Sequence, residues 1–302
     1  MSSSPKPSQR ANLILLFTAM IWGLAFVAQR SGMKDIGPFA YNGLRFALGS
    51  LSLLPVLLID HRKQLSKKYS ITRNEFLWAG VVCGFFLFAG SSLQQVGMVY
   101  TTAGNGGFIT SLYVILVPVF GLFWHQRVNV QTWMGALLAL AGMYFLSVKG
   151  NMNLALGDGL VFVSAFFFAG HVLVIGKYAP HTNIIRLSVF QFGLASVLSL
   201  LISLLIETTT FDDVLRAGIP ILYGGIMSVG VAYTLQMLGQ KKAHPSHAAI
   251  ILSLESLFAA IGGILILDEP LNFKVALGGC LMLAGVILSQ LRLRKRRMSL
   301  PE

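Results

Sequence analysis

The sequence predicts an all-α membrane protein of ten transmembrane helices, arranged as two inverted five-helix repeats with both termini in the cytoplasm. Three observations lead to this prediction: the composition, the length of the apolar runs and the distribution of basic residues. Of the 302 residues, 55% are hydrophobic and only 11% are charged, whereas a soluble globular protein carries about 25% charged residues. So few charges cannot cover a surface that faces water.

Ten apolar runs are long enough to be membrane spans, because a helix needs roughly 20 apolar residues to cross a hydrocarbon core of about 30 Å. Turn-forming residues such as Gly37-Pro38, His244-Pro245 and Glu269-Pro270 separate them. The predicted helices are 12–29, 38–59, 76–99, 103–124, 130–148, 156–176, 185–206, 217–238, 246–267 and 272–291.

The basic residues indicate the orientation. With the N-terminus in the cytoplasm, 17 of the 23 Lys and Arg residues fall in the tails and the cytoplasmic connections, and five fall in the outer connections. Arg45 lies within the second run. An excess of Lys and Arg on the cytoplasmic side is typical of membrane proteins. This distribution accounts for the net charge of +12, so we expect no nucleic-acid partner.

An internal repeat relates the two halves of the chain. A shift of about 142 to 146 residues places the fourth and fifth runs on the ninth and tenth and aligns Tyr113 with Glu255. Because five helices is an odd number, the second repeat must enter the membrane from the opposite side. We predict a disordered tail at 1–11, the repeats at 12–148 and 156–291, and a basic cytoplasmic tail at 292–302.

Several motifs in order resemble the drug/metabolite transporter superfamily, EamA type. They are Trp22-Gly23-Leu24-Ala25-Phe26, Arg45-Phe46, Leu93-Gln94-Gln95-Val96-Gly97, Ser111-Leu112-Tyr113, His247-Ala248-Ala249, Glu255-Ser256-Leu257-Phe258 and Asp268-Glu269-Pro270-Leu271. The resemblance implies two tandem repeats, a location in the cell inner membrane and transport of small metabolites. The chain departs from the family pattern at His125-Gln126-Arg127, where the family often has an acidic corner.

Two formal charges lie well inside the predicted helices, Arg45 and Glu255. A charge near a helix centre costs at least about 2.5 kcal/mol in the membrane, so such residues are candidates for function. Glu255 either binds an amine or a proton in a central cavity or pairs helices together. Arg45 either contacts a substrate or extends its long side chain to the headgroups.

Uncharged polar residues complete the candidate site. His171 and His247 either relay protons or bond to neighbours in their neutral form, and Trp22 either stacks on a substrate or packs against the second helix. The predicted substrate- or proton-binding residues are Glu255, Tyr113, Arg45, Trp22, Gln94, Asn105, His171, Tyr233, Gln236 and His247. We expect Pro118 to interrupt the fourth helix and open the site.

Motifs for soluble chemistry are absent from the sequence. It contains no GxxxxGK[ST] loop and no HExxH motif, so we expect no cofactor, no metal and no enzymatic activity. We predict a secondary transporter that exports a small metabolite, an amino acid or a related compound, by alternating access that is driven either by proton coupling or by the substrate gradient. The expected partners are the substrate and the lipid bilayer, and the protein is a monomer or a homodimer. Two alternatives stay open: a flippase for a lipid or lipid-linked sugar, and an intramembrane enzyme.

Overall fold

All regular elements in the described part of the chain are helices. The computed structural model describes residues 9–63, 69–101, 103–123, 128–147, 156–267 and 273–290. We number the helices α1 to α10 in chain order, and a helix broken within its length is divided into a and b. Each of the ten predicted runs corresponds to one of them.

The first repeat contains α1 (Gln9–Gly32), α2a (Pro38–Ser52), α2b (Leu54–Lys63), α3 (Arg73–Val99), α4a (Ala103–Thr110), α4b (Tyr113–Phe123) and α5 (Val130–Ser147). Because α1 begins at Gln9, residues 9–11 are helical and do not belong to the predicted disordered tail. Residues 1–8, the corner at 125–127 and the whole linker to the second repeat, within 148–155, lie outside the described residues.

The second repeat contains α6 (Leu156–Tyr178), α7 (Ile184–Ile206), α8 (218–240), α9a (Pro245–Leu252), α9b (Glu255–Leu267) and α10 (Phe273–Gln290). A 3-10 turn, Ala179–His181, follows α6, and a short helix, Phe211–Arg216, precedes α8. The acidic corner at 268–269 and the basic tail at 292–302 lie outside the described residues.

Eight of these helices are long and apolar enough to cross a membrane. The other two, α5 and α10, have shorter apolar stretches, Val130–Phe145 and Ala276–Ser289. The structure therefore supports a multi-pass membrane protein. That α5 and α10 also span the membrane stays a prediction, as does the orientation of the termini.

Three helices are broken within their length. The break in α2 falls at Leu53, because Pro55 lacks the N–H group that would bond to the carbonyl of Leu51. The breaks in α4 and α9 fall at 111–112 and 253–254, at equivalent positions of the two repeats. Our expectation for Pro118 was wrong, because this residue lies inside α4b and the break precedes it.

The centre of α8, Tyr223–Tyr233, is a π-helix. Its small residues let α2 approach closely: a Cβ atom at Gly225 would lie 2.7 Å from Leu48 Cδ2, and one at Gly230 would lie 2.6 Å from Ser52 Oγ. π-helical turns are rare and occur mostly at functional sites. This segment therefore marks α8 as a helix with a potential binding role.

Equivalent helices of the two repeats pack against each other in opposite directions. Between α2 and α7, Ser196 Oγ donates to the carbonyl of Gly43 at 2.9 Å, and Ser50 Oγ donates to the carbonyl of Val189 at 3.1 Å. Residue numbers rise along α2 where they fall along α7, so the two helices are antiparallel. Inverted repeats require this relation between equivalent helices.

Helices α5 and α10 show the same relation through glycine contacts. A Cβ atom at Gly142 would lie 2.5 Å from the carbonyl oxygen of Gly278, and one at Gly285 would lie 2.5 Å from that of Gly135. Gly285 follows Gly142 by 143 residues, and Gly135 precedes Gly278 by 143 residues. The repeat therefore converts one contact into the other. Glycine permits this close approach of helix backbones within a membrane, and the matching contacts place α5 and α10 around a local twofold axis.

Candidate functional site

The broken helices α4 and α9 cross at their breaks. Ser111, in the break of α4, has its Oγ 3.1 Å from Glu255 Oε1 and 2.7 Å from Ser256 Oγ. Ser256 Oγ also lies 3.0 Å from the carbonyl oxygen of Gly107, to which it can donate. Hydrogen bonds between side chains, and one from a side chain to a backbone carbonyl, thus join the two repeats where both helices lose their regular backbone bonding.

Glu255 is the first residue of α9b and accepts hydrogen bonds from the first repeat. Tyr113, the first residue of α4b, donates from its hydroxyl to Glu255 Oε1 at 3.1 Å. The structure therefore brings together the two residues that the internal repeat aligns. Both hydrogen bonds to this carboxylate from described residues reach Oε1, which leaves Oε2 as an acceptor for the cavity that Glu255 lines.

A cavity lies beside this crossing. It brings together eight of the ten predicted site residues, and its lining comes from seven different helices. Its lining residues are Trp22, Phe26, Gln29, Arg45, Gln94, Thr110, Tyr113, Phe168, His171, Val172, Ser228, Tyr233, Gln236, Leu252 and Glu255. Both repeats contribute to it, so the cavity lies at their interface, where secondary transporters hold their substrates.

Aromatic rings form one wall of the cavity around Tyr233. The ring of Trp22 meets that of Tyr233 edge-on at 4.6 Å between centroids, and the His171 ring does so at 5.9 Å. The indole Nε1 of Trp22 donates to the carbonyl of Ser228, in the π-helical part of α8, at 3.2 Å. Trp22 therefore packs against α8 while it lines the cavity.

Arg45 lines the same cavity and is only 2% exposed. Its side chain therefore does not extend to the membrane surface, which was one of the two interpretations of this residue. Its Nε donates to Asn42 Oδ1 at 2.9 Å. No ion pair within 4 Å joins it to Glu255 or to another carboxylate of the described residues.

The remaining polar residues of the cavity divide into bonded and unbonded groups. Gln94 Nε2 donates to Thr110 Oγ1 at 2.9 Å, and His171 Nε2 lies 2.9 Å from Gln191 Oε1. In contrast, Gln29 and Gln236 have side-chain oxygens that are buried without a hydrogen-bond partner among the described residues. Buried acceptors of this kind are rare in folded proteins, and a ligand with N–H or O–H groups would supply the missing donors.

Two predicted site residues are not placed in this cavity. His247 lies where α1, α9a and α10 meet: its Nε2 is 3.0 Å from Asn12 Oδ1 and its Nδ1 is 3.1 Å from Ser289 Oγ. The structure thus favours a role in helix packing for His247. The side chain of Asn105 lies outside the described part of the structure.

Just outside α9a, His244 Nδ1 accepts a hydrogen bond from the backbone N–H of Ser246 at 3.3 Å and caps the helix. Burial lowers the pKa of His244, which keeps the ring neutral and able to accept this bond.

Sequence reasoning missed Gln29 among the residues that line the cavity. It lies on α1 in one stripe with Trp22 and Phe26, since side chains three, four and seven residues apart share a helix face. That spacing from Trp22, together with its polar side chain in an apolar run, was the signal available. Within the described residues, no three His, Cys, Asp or Glu side chains form a potential metal site.

The fold and the cavity define the class of protein to which this chain belongs: multi-pass membrane transporters with two related halves. The EamA-like transporter family matches the chain twice, at residues 9–148 and 155–291. The chain therefore belongs to this family, within the drug/metabolite transporter superfamily, as its motifs indicated.

Individual relatives agree with this family. An uncharacterized transporter of Archaeoglobus fulgidus is 33% identical over 283 residues, which cover 93% of this chain and 86% of that protein. The uncharacterized transporter YoaV of Bacillus subtilis is 24% identical over 94% of this chain and 98% of its own length. A crystal structure with 17% identity superposes with a TM-score of 0.78 over 93% of this chain and 96% of that one, which shows that the two share a fold.

Proposed function

We propose that the protein is a secondary transporter that moves a small metabolite through the cavity between its two repeats by alternating access. The observation that carries this proposal is the crossing of α4 and α9, where two broken helices place Glu255, Ser111 and Tyr113 beside a cavity lined by both repeats. Discontinuous helices at the interface of inverted repeats form the substrate sites of many secondary transporters. Movement of one repeat against the other would open the cavity to each side in turn.

The proposed topology has ten spans and both termini in the cytoplasm. It is supported by the excess of Lys and Arg in the predicted cytoplasmic segments and by the antiparallel packing of α2 with α7. Helices α5 and α10 also pack antiparallel to each other. We therefore propose that both span the membrane despite their shorter apolar stretches. We place the protein in the cell inner membrane, as its family resemblance implies.

The proposed substrate is an amino acid or a related compound, and the proposed direction is export. The cavity offers a carboxylate on Glu255, a guanidinium on Arg45 and an aromatic wall around Tyr233. A compound with an amine, an acidic group and an apolar body would satisfy all three. Because an ionised carboxylate is costly inside the membrane, binding of a proton would neutralise Glu255, which makes it the proposed site of proton coupling.

Transport measurements with purified protein in liposomes test this proposal. We expect counterflow of at least one amino acid from a panel of amino acids and related metabolites, and we expect a pH gradient to change its rate. Liposomes without protein provide the baseline. Absence of flux for every compound, from protein that elutes as a single folded species, would overturn the proposal. Movement of a labelled lipid between leaflets in the same liposomes would favour the flippase alternative.

A further inference from the structure

We infer that Arg45 forms an anion-binding subsite in the cavity, and that the transported compound presents a carboxylate group to it. This inference rests on the proposed function in one respect, since it takes the cavity to be the place where the substrate binds. It goes further in naming one residue, one chemical group and the residues that hold the arginine in position.

The first argument is that the charge of Arg45 is buried without a carboxylate partner. The side chain is 2% exposed. Within the described residues, the carboxylates within 4 Å of an arginine are those of Asp35 and Asp213, and both contact Arg216. A buried charge is normally paired, because removing it from water is costly and an uncompensated charge destabilises the fold. A ligand anion would supply the missing partner.

The second argument is that the guanidinium is held in a fixed orientation. Asn42, one turn earlier on α2a, accepts from Arg45 Nε at 2.9 Å, while its own Nδ2 donates to the carbonyl of Ser91 on α3 at 3.0 Å. Asn42 therefore fixes the arginine against a neighbouring helix. The guanidinium carbon also lies 5.0 Å from the ring centre of Phe46 and 5.6 Å from that of Tyr41, within the range of cation–π attraction.

The third argument concerns what is left for a ligand. Nε is bonded to Asn42, and the two terminal nitrogens bond to no other group of the described residues. A guanidinium that offers two parallel N–H groups matches the two oxygens of a carboxylate. Glu255 does not fill this position, because it lies more than 4 Å from Arg45 and its Oε1 accepts from Ser111 and Tyr113.

The lining beside this subsite suits a compound with an apolar body. Trp22, Phe26 and Phe168 line the same cavity as Arg45. An aryl-substituted carboxylate would therefore place its charge on the guanidinium and its ring among these side chains. Its uncharged amide has nearly the same shape but lacks the anionic oxygens, so the pair of compounds isolates the contribution of the charge.

The test compares the binding of 3-phenylpropionate and 3-phenylpropanamide to the full-length protein in detergent, by isothermal titration calorimetry. Hydrogen bonds to charged groups are stronger than neutral ones, so we expect the carboxylate to bind about tenfold to hundredfold more tightly than the amide. Equal affinities of the two compounds, or binding of neither, would overturn the inference. This comparison uses the unmodified chain and does not depend on the folding of a variant.

Variants then assign the preference to Arg45. We expect Arg45→Gln to remove the preference for the carboxylate and Arg45→Lys to keep part of it, since lysine retains the charge without the two parallel N–H groups. Arg216→Gln is the matched control, because Arg216 is an exposed arginine outside the cavity; it should bind both compounds as the unmodified protein does. A preference that survives in folded Arg45→Gln would contradict the assignment.

The outcomes separate this inference from the proposed function. If liposomes show metabolite flux while the carboxylate and the amide bind equally, the transporter stands and the anion subsite is wrong. If the carboxylate binds in an Arg45-dependent manner and no compound is transported, the subsite stands and the proposed function is wrong.

Discussion

Helices α4 and α9 have the same backbone break, but they bring different chemistry to it. The break of α4 leads into Tyr113, and that of α9 leads into Glu255. At equivalent positions the first repeat thus presents a hydroxyl donor and the second an acidic acceptor, and the two are bonded to each other at 3.1 Å. The repeat preserves the shape of the backbone, while the side chains have become complementary.

A second pair of equivalent residues shows the same divergence. Arg45 on α2a and Gln191 on α7 align in the repeat, and the residues that follow them, Phe46 and Phe192, stack with ring centres 6.4 Å apart. Arg45 faces the cavity, whereas Gln191 bonds to His171 and donates to Met237 Sδ at 3.3 Å. The first repeat therefore supplies the cation of the cavity, and the second supplies its anion.

The largest effect should come from removing the anion of the second repeat. We expect Glu255→Gln to lower the transport rate by about a hundredfold, since losing one partner of a buried charged contact costs about 2 to 5 kcal/mol and a hundredfold corresponds to about 2.8 kcal/mol. We also expect the remaining flux to lose its dependence on pH. Both are measured as substrate counterflow in liposomes over a range of pH values.

Glu75→Gln is the matched control for this change. Glu75 is an exposed acid in the capping box of α3 and is not among the residues that line the cavity, and glutamine can serve in a capping box too. This variant should transport at the unmodified rate. If Glu255→Gln kept the pH dependence of the unmodified protein, the proton-coupling role of Glu255 would have to be abandoned.

A smaller effect should follow from removing the donor of the first repeat. Tyr113→Phe deletes the hydrogen bond to Glu255 Oε1 and keeps the ring. A hydrogen bond to a charged group contributes about 1.5 to 3 kcal/mol, so we expect substrate affinity to fall by about tenfold. Counterflow measured against substrate concentration gives this value.

Tyr223→Phe is the matched control, because it also removes a tyrosine hydroxyl, but one that donates to an uncharged backbone carbonyl. Tyr223 donates to the carbonyl of Ile21 at 3.0 Å, and Tyr223 is not among the residues that line the cavity. We expect this variant to keep its substrate affinity. Equal losses of affinity in the two variants would show that the contact with Glu255 has no special role in binding.

The symmetry of the backbone can be tested at the contacts of α5 with α10. We expect Gly142→Ala and Gly285→Ala to destabilise the protein by similar amounts, about 1 to 3 kcal/mol each, because the added methyl group would overlap a carbonyl oxygen of the opposite helix in both cases. Unfolding measured in detergent gives both values. Gly159→Ala, where nothing lies within 4 Å of the added carbon, should cost nothing. Unequal costs at Gly142 and Gly285 would argue against a twofold relation.

Much of the fold could be predicted because its signals are local or periodic. Apolar length predicted the helices, and the repeat aligned Tyr113 with Glu255 before their contact was known. Charge inside an apolar run selected Arg45 and Glu255, because a charge at that depth is costly and is seldom present without a role. All of these features can be read from residue type and spacing alone.

The rest depended on contacts between distant parts of the chain. His247 bonds to Asn12, 235 residues earlier, so its distance from the cavity could not be read from its own neighbours. Gln29 gave a weak signal, because an amide in an apolar helix serves equally well as a bond between helices. The break of α4 carries no proline; it occurs where Ser111 meets α9, whereas the proline signal pointed to residue 118.

The smallest effect concerns how the equivalent helices α2 and α7 begin. Helix α7 is capped by its own Asn183, whose side chain accepts from the N–H of Arg186. Helix α2 is capped from the other repeat, because the carboxylate of Glu207 accepts from the N–H groups of Phe39 and Ala40 at 2.9 and 2.7 Å. The second cap thus ties the two repeats together with a full negative charge.

Glu207→Gln should therefore lower the free energy of unfolding by about 0.3 to 1 kcal/mol at low salt, the usual contribution of a charge at a helix N-terminus. The loss should shrink as salt is added, since salt screens a partly exposed charge. Asn183→Ala removes a neutral cap and should cost about 1 kcal/mol at every salt concentration. Unfolding in detergent at low and high ionic strength measures both. If the loss in Glu207→Gln did not respond to salt, the cap would act through hydrogen bonding alone, and the two helices would begin by the same physical means.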